Sequence, residues 1–547
     1  MKKHVVLSDC LVAAIVLLCS LLLLCGNGAD NGRTLFSIWC MAAVYCACRL
    51  SFVCVGKYMQ YILPVLIAVA CLYESVLGIL QLTGLSDSNN CFFGCTGSFK
   101  NPGPYGGFLA VCIAVTGFYA LRDSSKRIRI ITGLSALSGL IILPSTMSRA
   151  AILALAAAVL YLALTSENGK IFLKKHIVWL APAVIVLCCC AYVIKRPSAD
   201  GRMFINRMSG RMICRHALTG VGQGCYAGAY GKEQYNYFNT QISRKGTDST
   251  DWTVLDQNQR MVADSPEYAF NEFLQFGAEN GVAAMTLLIA LFVIGIVQSH
   301  KQRTAWCGGL VSFAVFAMFS YPMHVVSFQI LLPVMLAAGV SEKSAETGHI
   351  LMVKYANILM LILLTVLIAC KIPFVYKQKS ARSTWEKTEY WYNSGFYDYV
   401  IADADSLYDY MKHDSNFLFE YGQALSKTGQ YEKSDSVLMQ GLKISCDPMF
   451  WNVMGNNSFE RGDFDKAVER YTHAFCMVPN RLYPLCRIAR TYFARQETDD
   501  FDYMLQKINS FPAKVESATT EKLRKEINEL PVTGNLDDTV NKTHKFR

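Results

Sequence analysis

Apolar blocks separated by short polar connections fill the chain from about residue 5 to about 370, and from about 380 an ordinary soluble pattern takes over. A run of roughly 20 apolar residues is long enough to cross a bilayer as a helix. Eleven blocks fit that length: 5–25, 35–54, 60–82, 104–121, 128–144, 150–165, 177–195, 278–298, 305–321, 324–340 and 351–370. The first follows Lys2 and Lys3 but is too long for a signal peptide, and no small-residue cleavage site follows it. Cys25 ends a Leu-Leu-Leu-Leu-Cys run that lacks the small residues expected before a lipoprotein cysteine, so the segment reads as a retained helix.

Beyond the last block a period appears. Gly395-Phe396, Gly429-Gln430-Tyr431 and Gly462-Asp463-Phe464 recur at spacings of 34 and 33 residues. In the unit beginning near Asp447, Trp451, Gly455, Ala467, Tyr471, Ala474 and Pro479 stand where small residues let two helices pack, an aromatic fills the groove and a proline ends the second helix. This pattern resembles the tetratricopeptide repeat. The unit before it keeps Gly422 and Gly429 but has Ser434 and Gly441 where alanines or large residues are expected, and half-matched pairs near 384–412 and 482–512 would cap the array. The expected fold is therefore all-α: a polytopic membrane helix bundle of about eleven spans (residues 1–370), a linker (371–383), a C-terminal α-solenoid of tetratricopeptide-like repeats (384–530) and a flexible tail (531–547). Such a solenoid either holds a protein partner in its groove or caps the membrane domain.

Charge adds sidedness. The chain carries 52 Lys+Arg against 42 Asp+Glu, a net +10, with 52% apolar and 17% charged residues and a mean hydropathy of +0.25. That composition excludes a cytosolic enzyme, a disordered protein and a small disulfide scaffold. The excess charge needs no nucleic-acid partner, because lysine and arginine collect in the cytoplasmic loops of membrane proteins. With the N-terminus inside, loops 55–59, 122–127, 166–176, 299–304 and 341–350 are cytoplasmic, and they hold Lys57, Arg122, Lys126, Arg127, Lys170, Lys174, Lys175, Lys301, Arg303 and Lys343. The same parity puts the long loop 196–268 and everything past 371 outside the cytoplasm. Most of the 21 cysteines lie in apolar blocks and act as small apolar residues, without the spacing of a zinc site. Cys91 and Cys95 share an outer loop and could pair in an oxidising compartment.

Four polar clusters fall on the outer face. They are Gly97-Ser98-Phe99-Lys100-Asn101-Pro102-Gly103-Pro104-Tyr105-Gly106-Gly107; Ser148-Arg149; Asp200-Gly201-Arg202 with Arg207, Arg211, Arg215, His216 and Gly220-Val221-Gly222-Gln223-Gly224; and Asn271-Glu272-Phe273-Leu274-Gln275 with Glu279 and Gly281. An arginine at the edge of hydrocarbon is costly unless it snorkels or has a specific partner. Several around one cavity suit an anionic ligand such as a diphosphate, which a guanidinium grips bidentately. Taken singly, Arg207, Arg211 and Arg215 also suit lipid headgroups or helix capping. The Gly-Val-Gly-Gln-Gly run is only superficially a dinucleotide loop, since no buried strand precedes it. Asp403-Ala404-Asp405 reads as a solvated helix face and not as a metal motif.

The order Gly-Ser-Phe-x-Asn-Pro-x-x-x-Gly-Gly, Ser-Arg, Gly-Arg-x-x-Ile, Gly-Val-Gly-x-Gly, Asn-Glu-Phe-Leu-Gln-x-x-x-Glu-x-Gly, over residues 90–340, resembles the O-antigen ligase and polymerase superfamily. The arrangement around Gly201–Phe238 and Ala263–Gly281 is similar to members from Bacteroidetes-type bacteria. The resemblance implies periplasmic transfer of a glycan from an undecaprenyl-diphosphate carrier to a hydroxyl on lipid A core, another glycan or a protein, with no cofactor and no metal. By motif position Arg149 and Arg202, then Arg211, would hold the diphosphate, where positive charge stabilises the leaving group. Asn101 belongs to the same binding set, and Asn271 and Glu272 would position acceptor or sugar, with helix capping the plain alternative. Family members carry a histidine just before this Asn or two residues earlier; here those positions are Phe270 and Tyr268. The expected base is therefore His324, Glu272 or Tyr268, His324 following the Tyr321-Pro322 turn. A different class of reading is a non-catalytic scaffold for envelope glycan assembly that acts through its repeats. A transporter is disfavoured because no two related halves with interrupted helices are visible.

Overall fold

The computed structural model describes residues 4–25, 33–122, 125–167, 196–246, 248–301, 304–341 and 350–533, with scattered residues between 169 and 182. Among the described residues all regular structure is helical. The membrane part contains α1 (His4–Leu24), α2 (Arg33–Leu82), α3 (Pro102–Arg122), α4 (Lys126–Ile142) and α5 (Arg149–Thr165). After the outer segment come α9 (Glu272–Lys301), α10 (Trp306–Phe319), α11 (Val326–Ser341) and α12 (Ile350–Asn393). The outer segment itself holds α6 (Arg196–Arg215), α7 (Tyr226–Lys245) and α8 (Gln257–Val262).

Among the described residues, seven helical stretches are long and apolar enough to cross a membrane: Leu7–Leu24, Thr34–Gly56, Tyr58–Leu82, Pro102–Leu121, Lys126–Thr146, Glu272–Lys301 and Lys354–Asn393. Arg149–Thr165 and Gly169–His176, bent by 105°, make an eighth if they count as one span. The expected second and third spans are one helix, α2, broken at Val55, where the backbone leaves helical geometry. The expected ninth and tenth spans, α10 and α11, have only 14 and 16 residues. Most of the expected seventh span, 177–195, lies outside the described residues.

Packing explains which faces stay apolar. Phe328 of α11 meets Phe108, Phe313 and Phe316 at ring separations of 5.9, 5.7 and 5.5 Å, which joins α3, α10 and α11 at the centre of the bundle. Leu66, Val69, Ile362 and Val366 remain exposed, as side chains facing hydrocarbon would. The buried charge Arg49, 2% exposed, is matched by Asp9 at 3.0 Å and by the Ser341 hydroxyl, so α1, α2 and α11 are tied without an orphaned ion.

The soluble helices are α13 (Tyr397–Met411), α14 (Ser415–Lys427), α15 (Tyr431–Gly441), α16 (Met449–Glu460), α17 (Phe464–Met477), α18 (Tyr483–Ala494), α19 (Thr498–Ser510) and α20 (Ala518–Thr533). Residues 371–383, expected as a linker, lie inside the unbroken helix α12, whose end packs Ala381 and Trp385 into the first soluble core. The tail from 534 onward is outside the described residues. Gly395, Gly429 and Gly462 have φ of 80°, 78° and 76°, so each periodic glycine is the left-handed turn that ends one helix and starts the next. A fourth turn of the same hand falls at Gln496, φ 62°, 34 residues after Gly462. Close approach is periodic too: a Cβ on Gly422 would stand 2.6 Å from the Leu438 side chain, and one on Gly455 would stand 2.4 Å from the Tyr471 ring.

The outer segment does not stand apart from these helices. Phe204, Tyr230 and Phe238 share one buried core with Phe475, Met477, Leu485 and Ile488 of α17 and α18.

Candidate functional site

The site is assembled at one end of the bundle, where α3, α5 and α9 begin. Gly106 of α3 lies so close to the turn before α5 that a Cβ would stand 2.6 Å from the Thr146 hydroxyl and 3.1 Å from Ser148. The chain reverses through a 3₁₀ turn, Leu143–Thr146, and through Met147, a non-glycine residue at φ 48°. Ser148 then caps α5 by accepting from the Ala151 N–H, which leaves Arg149 as the first helical residue. Asn101 sits at the rim of this corner, exposed: its Oδ1 accepts from Gly103 N–H at 2.8 Å, and the Gly103 carbonyl accepts from Ser148.

Helix α6 brings the second arginine. Arg149 Nη2 reaches Ser198 at 3.4 Å, and Arg202 Nη1 donates to the Phe319 carbonyl at the end of α10, at 2.9 Å. The Arg202 guanidinium lies over the Phe270 ring, 5.1 Å from its centroid. Burial, then the positive charge of Arg149, pushes Arg202 below its ordinary value, with Tyr321 acting the other way. Two guanidiniums close enough to oppose each other's charge form a local excess of positive potential.

The third part is the start of α9. Phe270 is held at φ 51°, the left-handed region that non-glycine residues seldom occupy, and this turn aims Asn271 and Glu272. Asn271 accepts from the Leu274 N–H and is the helix cap. Glu272, 4% exposed, accepts from the Met323 N–H of the 3₁₀ turn Pro322–His324. His324 Nε2 stands 3.8 Å from the second Glu272 oxygen, and the His324 side chain is 28% exposed. Tyr268 stacks on Tyr321 at 4.6 Å and packs against His324 at 4.7 Å, while Phe270 meets Tyr321 edge-on.

The glycine loop has a structural task. Helix α9 breaks at Gly281 (φ 85°, ψ 172°), which would strand backbone groups on either side. The N–H groups of Val221 and Gly222 bind the Ala278 and Glu279 carbonyls at 2.8 and 3.1 Å, and Val282 N–H binds the Ala217 carbonyl at 2.8 Å. A Cβ at Gly220 would meet the Glu279 carbonyl at 2.3 Å, and one at Gly281 would meet the Leu218 carbonyl at 2.5 Å. The loop is thus a brace across a broken helix.

Of the residues singled out in the sequence, the fold brings Arg149, Arg202, Tyr268, Glu272 and His324 into one neighbourhood, with Asn271 as a cap and Asn101 at the edge. Arg211 does not join them. It pairs with the buried carboxylate of Glu233, which also takes Arg215 at 2.7 Å, and it lies over Tyr237 beside Arg207. His216 is exposed and adjoins the loop brace through its own carbonyl. Phe270, Tyr321 and Ser198 contribute contacts that their sequence positions did not announce. Cys91 and Cys95 are both free thiols; Cys95 is buried, with its Sγ against the Gly78 carbonyl, and Cys91 is exposed. Among the described residues no group of three or more His, Cys, Asp or Glu side chains is placed to hold a metal ion.

Residues 133–289 match the family model described as O-antigen ligase. The match covers less than half of the chain; it includes Arg149, Arg202, Tyr268, Asn271 and Glu272, and leaves out Asn101 and His324. No curated protein matches the chain. The apolar helices mark a multi-pass membrane protein, and the match at 133–289 makes this region similar to O-antigen ligases, which supports glycosyl transfer in envelope polysaccharide assembly.

Proposed function

We propose that the protein transfers a glycan from an undecaprenyl-diphosphate carrier to a hydroxyl acceptor at the periplasmic face of the bacterial inner membrane. The observation that carries this reading is the meeting of Arg149 and Arg202 with the Glu272–His324 pair at one end of the bundle. Arg149 and Arg202 hold the carrier diphosphate and stabilise the charge that grows on it as the glycosidic bond breaks, so the chemistry requires no metal. His324 takes the proton of the acceptor hydroxyl. Buried Glu272 orients the imidazole and stabilises its protonated form, and Tyr268 fixes the ring by stacking. Catalytic pairs commonly stand apart in the free enzyme and tighten when substrate binds, which suits the 3.8 Å separation. His324 and Tyr268 thus supply what a histidine beside Asn271 supplies in the relatives that the motifs resemble. Arg211, committed to Glu233, has no part in diphosphate binding. The soluble helices are tetratricopeptide-like, which the recurring turns at Gly395, Gly429 and Gly462 support.

The test is transfer by purified protein in lipid, with undecaprenyl-diphosphate glycan as donor and products scored as lipid-A-linked, chain-extended or protein-linked. Arg149→Ala, Arg202→Ala and His324→Ala each lower transfer by about a hundredfold or more, and a chelator leaves the wild-type rate unchanged. Full transfer by all three variants overturns the reading. The scaffold alternative predicts no transfer by wild type and no loss of envelope glycan when His324 is replaced in cells.

A further inference from the structure

The segment that enters the site at Tyr268 is held from the other end of the chain. Asn480, 2% exposed and just past α17, donates its side-chain amide to the carbonyls of Arg260 and Ala263 at 2.9 and 2.7 Å. Cys446 Sγ donates to the Pro266 carbonyl at 3.3 Å. Gln234 of α7 bridges the two parts, binding the Asp264 carbonyl at 3.1 Å and the Met477 carbonyl at 2.6 Å. Arg260, 1% exposed, is inserted between the Trp252 and Phe511 rings at 5.1 Å from each and donates to the Pro479 and Pro512 carbonyls. Carbonyls at 260, 263, 264 and 266 are thereby all claimed before the chain reaches Tyr268.

Helix α7 makes this approach possible. A Cβ at Gly228 would stand 2.3 Å from the Lys443 carbonyl oxygen, and one at Gly231 would stand 2.4 Å from the Met477 methyl. The His473 ring lies between Tyr235 of α7 and Trp451 of α16, stacked at 3.7 and 3.9 Å. Backbone contacts of this kind admit one register. A slip of a single residue in 260–266 would swap which carbonyls face Asn480 and rotate the turn at Phe270 that aims Glu272.

We infer that the C-terminal helical domain is a positioning part of the transfer site, in which Asn480 is the residue that fixes the 260–266 segment and through it Tyr268, Asn271 and Glu272. This rests on the transfer reading above. The face of the helical domain toward the membrane part is occupied by the chain's own outer segment, so a protein partner would have to use another face.

The experiment is amide hydrogen exchange on the full chain in lipid, combined with transfer kinetics. Asn480→Asp keeps the size and loses both donors. Gly228→Ala separates the two parts by steric contact at a residue remote from the site. Exposed Tyr399→Ala serves as a control in the helical domain. In both interface variants, amides of 267–276 exchange about tenfold faster than in wild type, while those of Pro102–Arg122 are unchanged and the control matches wild type throughout. The same two variants lose about tenfold in kcat with the donor KM within about twofold, because Glu272 and Tyr268, which orient the His324 base, move and the arginines do not. His473→Phe, which keeps the ring sandwich, behaves as wild type. Exchange at 267–276 within about twofold of wild type in both interface variants overturns the inference. If wild type transfers no glycan, the functional reading falls, and the exchange data still decide the clamp.

Discussion

Arg202 and Arg211 stand nine residues apart on one helix, and at about 100° per residue nine steps end on the opposite face. Nothing in their immediate sequence separates them: both follow a glycine in a basic stretch. Tertiary contacts do, because Arg202 reaches Phe319 and Phe270 while Arg211 meets buried Glu233. Arg211→Ala is therefore expected to leave the rate of transfer within about twofold of wild type, with loosening of α6 against α7 as its main effect. Arg202→Lys keeps a positive charge but gives up the planar fork and the stack on Phe270, and should lower kcat by about tenfold or more. Steady-state kinetics on the two variants checks both; equal losses would remove the distinction between them. The base candidates show the same limit. That Glu272 and His324 are neighbours depends on a turn closing 51 residues later in the chain, at Met323, and no local pattern encodes it.

Helix–helix turns of the soluble part were readable wherever glycine marked them, since a left-handed turn without a Cβ clash leaves a chemical signature. Gln496 escaped for the complementary reason: a side chain occupies the same conformation at φ 62°, so the fourth turn carries no mark. Gln496→Gly should relieve that strain and raise stability by about 1 kcal/mol, seen as a higher midpoint in chemical denaturation. No gain would mean that the Gln496 side chain offsets its own strain. The interface helices carry a pH term. Burial pushes the His473 imidazole down to about 4, against about 6.5 when unfolded, so the stability gained by keeping it neutral is complete above about pH 6.5 and is lost as pH falls toward about 4. Burial pushes the Asp248 and Asp264 carboxyls up, but hydrogen bonds and charge from Lys507 and Lys514 outweigh it and hold both below the usual carboxylate range. Their contribution is present above the unfolded carboxylate range and fails only at more acid pH. Thermal unfolding of the full chain between pH 7 and 5 should thus decline less steeply in His473→Phe than in wild type. Parallel declines would assign that window to other groups.

Across the whole molecule, the contacts of Arg202 with Phe319 and of Glu272 with Met323 put the site, the outer segment and the helical domain at one end of the membrane bundle. In the proposed topology, with the positively charged loops cytoplasmic, that end faces the periplasm. With Cys91 and Cys214, the exposed thiols of the same face outside the apolar blocks, replaced by serine, Glu432→Cys at an exposed position of α15 should then react with a membrane-impermeant thiol reagent added to cells whose outer membrane alone is opened. Protection until the inner membrane is broken would invert the topology. The sequence by itself determined where most of the long apolar helices lie, where three of the soluble turns fall and which loops carry positive charge. Each of those follows from neighbours within one or two helical turns, or from hydrophobic length against a bilayer. Tertiary structure alone decided that Arg149 and Arg202 meet while Arg211 does not, that the glycine loop braces a broken helix, and that Asn480 reaches back 217 residues to the Ala263 carbonyl. Those outcomes depend on which distant surfaces can approach without a Cβ or an unmatched backbone group in the way, a property that no local stretch of sequence carries.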